Sequence, residues 1–377
     1  MRIQKTATAG VALAAVAVLA ACSSSGGGSS SGSSSSPSAK ASASAAKLSG
    51  TLNASGSTFQ TTYQQAAIQA FKAEQPGLTV NYGGGGSGKG RTDLSSGVVN
   101  FAGSDSPIPT AEQANFKGKT ILYFPVVIGP IALSYNLSGV TNLKLDGPTI
   151  AKIFQGEIKT WNDPAIKALN PSAKLPSTAI TIARRSDSSG TTQNFSEFLV
   201  KSAPGVWKLG TSSTINWPSG SRGGTGNGGV DSIVKQTPGA IGYVDFSDAK
   251  ASNLSMASVK NSAGDYVAPS AAAASAAAGQ ATVASNLTFS AIWAPGASSY
   301  PVTYQSWDLV NAAQSSATAT ANLKGYLGYL LGAGQKLLPE LNYAPLPANI
   351  DKMAVAQLSK IGSGSAAAGS SPSAASS

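Results

Sequence analysis

Residues 179–201 read AITIARRSDSSGTTQNFSEFLVK, a pattern that predicts a strand, a tight turn and a helix in direct succession. The strand is predicted over Ala179–Ala183 and the helix over Thr192–Lys201, where Phe195 and Phe198 fall on one side. Similar short β-type runs alternate with helical patterns along the rest of the chain. Strands that alternate with helices are typical of an α/β fold, so that fold class is expected here.

The turn in this stretch carries groups that bind oxyanions. Arg185, the second of two adjacent arginines, leaves the strand, and Ser189, Gly190 and Thr191 open the helix. A guanidinium group, hydroxyls and helix-start amides together form a complete oxyanion-binding set. Asp187 is close enough in sequence to hold one arginine in place. A surface arginine pair beside an ordinary helix cap is the alternative interpretation.

Two more segments place small residues and hydroxyls at a turn. In Ala54–Phe59, which reads ASGSTF, Thr58 is predicted to cap a helix over Phe59–Ala73, with its hydroxyl and the following amides facing an anion. A simple helix cap without a ligand is the alternative. In Phe101–Pro107, which reads FAGSDSP, Asp105 lies between two serines before a proline, and this pattern alone indicates only a turn.

A glycine-rich loop nearly matches the nucleotide-binding P-loop. Residues 83–90 read GGGGSGKG and follow a strand predicted over Leu78–Tyr82. A P-loop needs a Ser or Thr after its lysine to hold magnesium, and Gly90 has no hydroxyl, so a nucleotide site is not expected. The exposed amides of a glycine run still cradle a tetrahedral anion without a metal. Lys89 is expected to point to solvent.

The composition excludes several chemistries. The 377 residues include no histidine and one cysteine, which excludes a Ser-His-Asp triad, a histidine metal site, an intrachain disulfide and a multi-thiolate zinc site. The formal net charge is +10, but the lysines and arginines are scattered, so nucleic-acid binding is not expected. The five tryptophans are predicted to be core or interface residues rather than a stacking platform.

The N-terminus is typical of an exported bacterial lipoprotein. Residues 1–21 have a positive start and an apolar run too short to span a membrane, as in a signal peptide. Residues 19–22 read LAAC and resemble the lipobox, in which the cysteine, here Cys22, becomes the lipidated first residue. Residues 22–47 are rich in Ser, Gly and Ala and are predicted to be a lipid-anchored tether, and residues 362–377 a disordered tail. An ordinary signal peptide with an incidental cysteine is the alternative.

Apolar patterning predicts four further elements. They are a strand over Thr120–Tyr135 that is broken by Pro125 and Pro130, a strand over Ala240–Val244, an exposed helix over residues 271–278, and a helix over Leu323–Leu338. The chain length favours about two domains.

Seven segments in a fixed order carry a family resemblance. They are SGSTF at 55–59, NYGGGGSG at 81–88, FAGSDSPI at 101–108, GEIKTWNDPAIKALNP at 156–171, ARRSDSSGTT at 183–192, GTSSTINWP at 210–218 and TPGAIGYVDF at 237–246. This set resembles the phosphate-binding receptors of bacterial Pst-type ABC phosphate importers, in lipoprotein form. The resemblance covers nearly all of residues 48–350.

The resemblance implies a periplasmic-binding-protein fold. In that fold two α/β domains are joined by crossover strands, and the ligand lies in the cleft between the domains. Domain I is expected to comprise residues 48–130 and 303–361, and domain II residues 131–302. The first crossover is expected near residues 128–135.

The resemblance also implies the ligand groups. Carried over residue by residue, they are Thr58, the Phe59 amide, Ser87, Asp105, Arg185, Ser189, Gly190 and Thr191. Asp187 takes the position that orients the binding arginine. Ser57 stands where the family commonly has alanine, and Gly88 and Lys89 stand where it often has Ser and Gly. Because of these differences, the resemblance leaves one or two of the direct hydrogen bonds to the ligand undetermined.

The function implied is that of an extracytoplasmic lipoprotein, anchored to the membrane through Cys22. It is expected to capture inorganic phosphate and deliver it to the permease subunits of an ABC importer, as a monomer, without enzymatic activity, metal or cofactor. An ionised Asp105 is a hydrogen-bond acceptor only, so it can receive a phosphate O–H but not an oxygen of unprotonated sulfate.

Three alternatives stay open at this point. A receptor of the same fold for sulfate, molybdate or a phosphonate would share most of the binding groups. A secreted phosphatase would use the same Ser, Arg and Asp side chains, although such enzymes commonly need two metals or a histidine. A phosphate sensor or surface antigen uncoupled from transport would have the same sequence features.

Overall fold

The structure, a computed structural model, describes residues 47–363. The elements of this part of the chain follow the α/β order expected from the sequence. The strands are β1 (Gly50–Gly56), β2 (Leu78–Gly85), β3 (Phe101–Ser104), β4 (Ile121–Tyr135), β5 (Lys144–Leu145), β6 (Thr181–Arg185), β7 (Arg222–Gly224), β8 (Ala240–Asp245), β9 (Ser255–Met256), β10 (Ser258–Lys260), β11 (Tyr266–Val267), β12 (Thr303–Asn311), β13 (Ala313–Gln314) and β14 (Gly362–Ser363).

The helices are interleaved with these strands. The α-helices are α1 (Thr61–Glu74), α2 (Ser87–Ser95), α3 (Gly147–Phe154), α4 (Pro164–Leu169), α5 (Gly190–Ser202), α6 (Gly226–Gln236), α7 (Phe246–Ala251), α8 (Ala271–Ala278), α9 (Ala317–Leu331) and α10 (Ala348–Gln357). Short 3-10 helices cover Thr110–Phe116, Ala333–Leu337 and Leu358–Lys360.

The main sheet consists of two groups of parallel strands on either side of an antiparallel centre. Its strand order is β2-β1-β3-β12-β4-β8-β6-β7, and β9 also pairs with β4. β1 is parallel to β2 and β3, and β6 is parallel to β7 and β8. β12 is antiparallel to β3 and β4, and β4 is antiparallel to β8.

The long strand β4 connects the two groups. Residues 121–130 pair with β12, and residues 131–135 pair with β8. The change of partner therefore falls between Pro130 and Ile131, inside the region where the family resemblance implies a crossover.

The expected break of β4 at its prolines was wrong, because the strand is continuous from Ile121 to Tyr135. Pro125 faces Trp307 at the place where the register with β12 is irregular, and Pro130 faces Thr303 where that ladder ends. A proline has no N–H to donate, and an irregularity or a ladder end is where a sheet tolerates its loss.

Two of the predicted helices differ from the structure. The helix expected to continue to Leu338 ends at Leu331, because the backbone leaves the helical region at Gly332, with φ −107° and ψ −102°. The alanine-rich α8 has its predicted bounds, but the expectation of exposure was wrong. Ala274 and Ala277 are fully buried, since the small side chains let α8 pack closely on β4 and β12.

Trp161, Trp207 and Trp307 belong to the core, as predicted, and Trp217 and Trp293 are partly buried against it. Trp161 and Trp307 are fully buried, and their indole N–H groups donate to the carbonyl oxygens of Gly239 and Leu287, both at 2.9 Å. Satisfying the polar end of the ring in this way allows the whole side chain to leave water.

The predicted signal peptide, Cys22 and nearly all of the predicted tether lie outside the described residues. The first two residues of the predicted tail, Gly362 and Ser363, form β14 and pair with β13. Within residues 47–363, no helix combines the length and the apolar character needed to cross a membrane.

Candidate anion-binding site

The four segments singled out in the sequence meet at the N-terminal turn of α5. Gly190, the first residue of this helix, packs directly against side chains from two other segments. A Cβ atom added to Gly190 would lie 2.4 Å from Ser87 Oγ and 2.7 Å from Asp105 Oδ2. The helix start, the glycine-rich loop and the Asp105 turn are therefore in contact, and only glycine fits at this position.

Asp105 is a buried carboxylate surrounded by hydroxyl donors. It lies in the turn after β3 with 1% of its surface exposed, and Oδ1 accepts hydrogen bonds from Ser57 and from Ser306, the latter at 2.6 Å. Ser87 Oγ lies 3.3 Å from Oδ2. Burial raises the pKa of Asp105, and these hydroxyls together with the positive charge of Arg185 oppose the rise.

Arg185 is held by a two-point ion pair with Asp187, as the sequence predicts. Arg185 Nε donates to Asp187 Oδ1 at 2.9 Å, and the terminal nitrogen Nη2 donates to Oδ2. Burial raises the pKa of Asp187, but the hydrogen bond and charge of Arg185 outweigh that effect and hold the pKa below its usual value. The fork geometry fixes the guanidinium plane and leaves Nη1 to face Thr191 Oγ1 at 3.2 Å.

The start of α5 supplies amide donors beside Arg185. Ser189 is the N-cap residue, and its Oγ accepts the Thr192 N–H at 3.2 Å. The Gly190 and Thr191 N–H groups are in the first turn of the helix, where no helix carbonyl is available to accept from them. They also lie at the positive end of the helix dipole. Ser189 and Thr191 are both fully buried.

Thr58 does not cap α1, which corrects the sequence prediction. The helix begins at Thr61 with Gln60 in the N-cap position and no side-chain cap. Thr58 Oγ1 instead accepts hydrogen bonds from the backbone and side chain of Asn227, both at 3.3 Å. The Phe59 N–H donates to Ser57 Oγ at 3.1 Å, so this segment points its polar groups toward Asp105 and α6.

The glycine-rich loop connects β2 to α2 and packs on the turn before α5. Gly85 and Gly86 have φ angles of 119° and 91°, which favour glycine. The Gly88 N–H donates to the Ser188 carbonyl oxygen at 3.0 Å. Lys89 is 53% exposed and pairs with Asp93 at 2.5 Å, so it points to solvent, as expected, rather than into the site.

Three polar residues of the site were not predicted from the sequence. Asn227 at the start of α6 lies between Thr58 and Arg185, Asn194 of α5 donates to the Asp105 carbonyl oxygen at 2.6 Å, and Ser306 of β12 donates to the Asp105 carboxylate. Asn227 lies in the glycine-rich stretch GTGNGG at 224–229, a pattern that could have predicted a loop before a helix. Ser306 lies inside a strand and gave no local signal.

The chemistry of the site suits an anion that carries a proton. One guanidinium group, helix-start amides and hydroxyls supply donors, and a buried carboxylate supplies an acceptor. Among the described residues, no group of three or more Cys, Asp and Glu side chains is placed to hold a metal ion.

Comparison with known proteins places the chain in a family. Residues 41–333 match the model of the PBP superfamily domain. The chain is 38% identical over 309 residues to phosphate-binding protein PstS 3 of Mycobacterium tuberculosis, covering 79% of this chain and 83% of that protein. It is 37% identical over 281 residues to phosphate-binding protein PstS of Xylella fastidiosa, covering 73% and 76%. The chain belongs to the PstS family.

Solved structures agree with the fold expected for a PstS protein. A phosphate-bound periplasmic phosphate-binding protein, PfluDING, superposes with a TM-score of 0.68 at 23% identity, covering 82% of this chain and 94% of that one. A substrate-binding protein from Clostridium perfringens with bound phosphate gives a TM-score of 0.60 at 19% identity, covering 79% of this chain and 100% of that one. The α/β fold of the periplasmic-binding-protein type is thereby confirmed.

Proposed function

We propose that this PstS-family chain binds inorganic phosphate at the N-terminus of α5 and delivers it to an ABC importer. The proposed ligand groups are those that the family resemblance implies: Thr58, the Phe59 amide, Ser87, Asp105, Arg185, Ser189, Gly190 and Thr191. Asp187 and Ser57 act indirectly, by orienting Arg185 and by donating to Asp105.

The observation that carries the proposal is the contact of Gly190 with both Ser87 and Asp105. This contact brings the acceptor carboxylate to the amide donors of α5, while Thr191 links the same turn to Arg185 at 3.2 Å. Arg185, the amides of the turn and one acceptor for a proton are thereby brought together. The PstS relatives, which are named as phosphate-binding proteins, support the same ligand.

Selection of phosphate rests on Asp105. Near neutral pH phosphate carries at least one O–H, which an ionised Asp105 accepts, whereas sulfate carries none. A buried clash of like charges costs several kcal/mol, so a preference of about 10³-fold for phosphate follows from this one residue.

Binding is proposed to close two lobes around the ion. Domain I comprises residues 48–130 and 303–361, and domain II residues 131–302. The change of partner within β4 supports this division, because the chain passes from one group of parallel strands to the other at residues 130–131. Closure excludes water from the site and signals occupancy to the transporter.

The location is proposed to be the outer face of the cell membrane, with a lipid on Cys22 as the anchor and the protein acting as a monomer without catalysis. The signal-peptide pattern and lipobox support this location. Radiolabelled palmitate should be incorporated into the wild-type chain in cells but not into Cys22→Ser, which should leave the membrane fraction. Equal labelling of both chains would contradict the anchor.

Titration calorimetry of the purified chain with phosphate and then sulfate tests the proposal. We expect tight phosphate binding and sulfate binding weaker by about 10³-fold. Asp105→Asn should lose most of this preference, because an amide can donate to sulfate, while Asp265→Asn, at an exposed position, should keep it. Absence of binding to either anion would overturn the receptor function, and equal affinities in the wild type would overturn the role of Asp105.

A further inference from the structure

Asp105 Oδ1 accepts hydrogen bonds from two hydroxyls, Ser57 and Ser306, and Ser306 is held in a fixed direction. Gln60 Nε2 donates to Ser306 Oγ at 2.7 Å. A serine hydroxyl has one hydrogen, and the Ser306 oxygen accepts from Gln60, so its hydrogen is directed to Asp105.

The orientation of the Gln60 amide follows from its other neighbours. The same Nε2 atom lies 3.0 Å from the Trp307 carbonyl oxygen, which can only accept, so this atom is the nitrogen. Gln60 Oε1 accepts from Gln64 Nε2 at 2.9 Å, and Gln64 Oε1 accepts from Tyr326 OH at 2.7 Å.

The result is a buried chain of hydrogen bonds with one direction. It runs from Tyr326 through Gln64 and Gln60 to Ser306 and ends at Asp105, and Gln64, Gln60 and Ser306 are fully buried. The bonds of such a buried chain polarise one another, so each is stronger than an isolated hydrogen bond.

Asp105 Oδ2 accepts one hydrogen bond, from Ser87 Oγ at 3.3 Å, which is longer than the 2.6 Å bond of Ser306 to Oδ1. A carboxylate oxygen can accept a second hydrogen bond, so Oδ2 keeps acceptor capacity for a ligand beside Gly190. We propose that Ser306, oriented by Gln60, is a specificity-determining positioning residue: it keeps Asp105 an acceptor, so that only an oxyanion bearing an O–H can bind at Oδ2. This inference rests on the phosphate-binding function proposed above.

The mechanism predicts a change in pH dependence when Ser306 is lost. Burial raises the pKa of Asp105, and the Ser306 hydrogen bond is the largest influence that opposes the rise. Without that bond Asp105 takes up a proton at a higher pH, and a protonated carboxyl donates to sulfate. The other charged or titratable groups facing Asp105 are Arg185, Asp245, Tyr82 and Tyr304, and they are unchanged in the variant.

Calorimetry of the full chain with phosphate and sulfate between pH 5 and 8 tests the role of Ser306. In Ser306→Ala, the ratio of phosphate to sulfate affinity at pH 7 should fall about tenfold, the effect of losing one hydrogen bond to a charged group. Sulfate affinity should also begin to rise at a higher pH than in the wild type. Ser134→Ala removes a fully buried hydroxyl that has no hydrogen-bond partner and should keep the wild-type ratio.

Ser306→Cys provides a second variant of similar volume with a weaker donor. It should give a ratio between those of the wild type and Ser306→Ala. If the variants melt cooperatively and keep the wild-type ratio at every pH, the role of Ser306 is overturned while phosphate binding stands. If the wild type does not bind phosphate, the proposed function fails first and this inference fails with it.

Discussion

At the scale of single residues, two charged side chains have opposite tasks in the site. Asp187 fixes Arg185 as a planar donor, and hydroxyls keep Asp105 available as an acceptor. The first pair was predictable, because Arg185 and Asp187 are two residues apart. The Ser306 contact was not, because it joins residues 201 positions apart through the pairing of β12 with β3 and β4.

The two adjacent arginines provide a matched test of the donor role. Lysine keeps the positive charge but cannot form the two-point pair with Asp187. Arg185→Lys should therefore lower phosphate affinity about 30- to 100-fold, as expected for loss of a charge-assisted, oriented contact. Arg184→Lys should change phosphate affinity less than about twofold. The Arg184 side chain donates to Ser221 Oγ and to the Arg185 carbonyl oxygen rather than to the proposed ligand groups. Calorimetry with phosphate measures both, and equal losses would contradict the assignment.

Asp308 gives the fold a pH dependence of its own. Burial raises its pKa to about 7, while hydrogen bonds from Gln64 Nε2 to both carboxylate oxygens oppose the rise. Its unfolded pKa is close to 3.9. Between these two pKa values the Asp308 carboxyl holds its proton in the folded chain but not in the unfolded chain. Protonation of Asp308 therefore stabilises the fold at low pH, and this contribution is lost as the pH rises toward 7.

The Asp308 contribution appears as a slope in urea unfolding measured from pH 4.5 to 8. As the pH rises toward 7, the free energy of unfolding should fall less steeply in Asp308→Asn than in the wild type. The two slopes should differ by up to about 1.4 kcal/mol per pH unit. Asp265→Asn, at an exposed position, serves as the control. Identical slopes in wild type and Asp308→Asn would contradict the raised pKa.

At the scale of elements, the sequence predicted some of the strands and helices around the site but not β3, α2 or α6, which position Asp105, Ser87 and Asn227. β6, α5, β2 and β8 lie where their patterns placed them, within a few residues. The errors arose where tertiary contacts override local patterns. Pro125 and Pro130 did not break β4, Thr58 did not cap α1, and α8 was buried by contacts with β4 and β12.

The first residue of α5 tests the contact between elements. In Gly190→Ala, the new methyl would overlap Ser87 Oγ and Asp105 Oδ2. Phosphate affinity should therefore fall at least tenfold, and the free energy of unfolding should fall by about 1–3 kcal/mol. Gly228→Ala in α6 has open space around the added Cβ and should be neutral or slightly stabilising. Calorimetry and urea unfolding measure the two effects. Unchanged phosphate binding in Gly190→Ala would contradict the proposed site.

At the scale of the whole molecule, the chain crosses from one group of strands to the other within β4 and returns at the start of β12. The change of partner in β4 falls within the stretch where the resemblance implies a crossover, but the sequence did not predict which residues link the two groups. Asn227 is one of them, since it bonds Thr58 and contacts Arg185. Its role depends on the approach of α6 to the β1–α1 turn, which no local pattern encodes.

Removing this link should speed the release of phosphate. Asn227→Ala loses two hydrogen bonds to Thr58, so the dissociation rate should rise about 3- to 10-fold while association changes little. Asn81→Ala, at an exposed position on β2, should leave both rates unchanged. Stopped-flow competition measures the rates, and an unaltered dissociation rate in Asn227→Ala would contradict the link.

A crystal structure of the chain grown with phosphate tests the proposed binding site. We expect one phosphate ion at the start of α5, with one oxygen within hydrogen-bond distance of Asp105 Oδ2. Its other oxygens should contact Arg185 and the amides of Gly190 and Thr191. A phosphate ion that contacts neither Asp105 nor Arg185, or no ion at the start of α5, would contradict it.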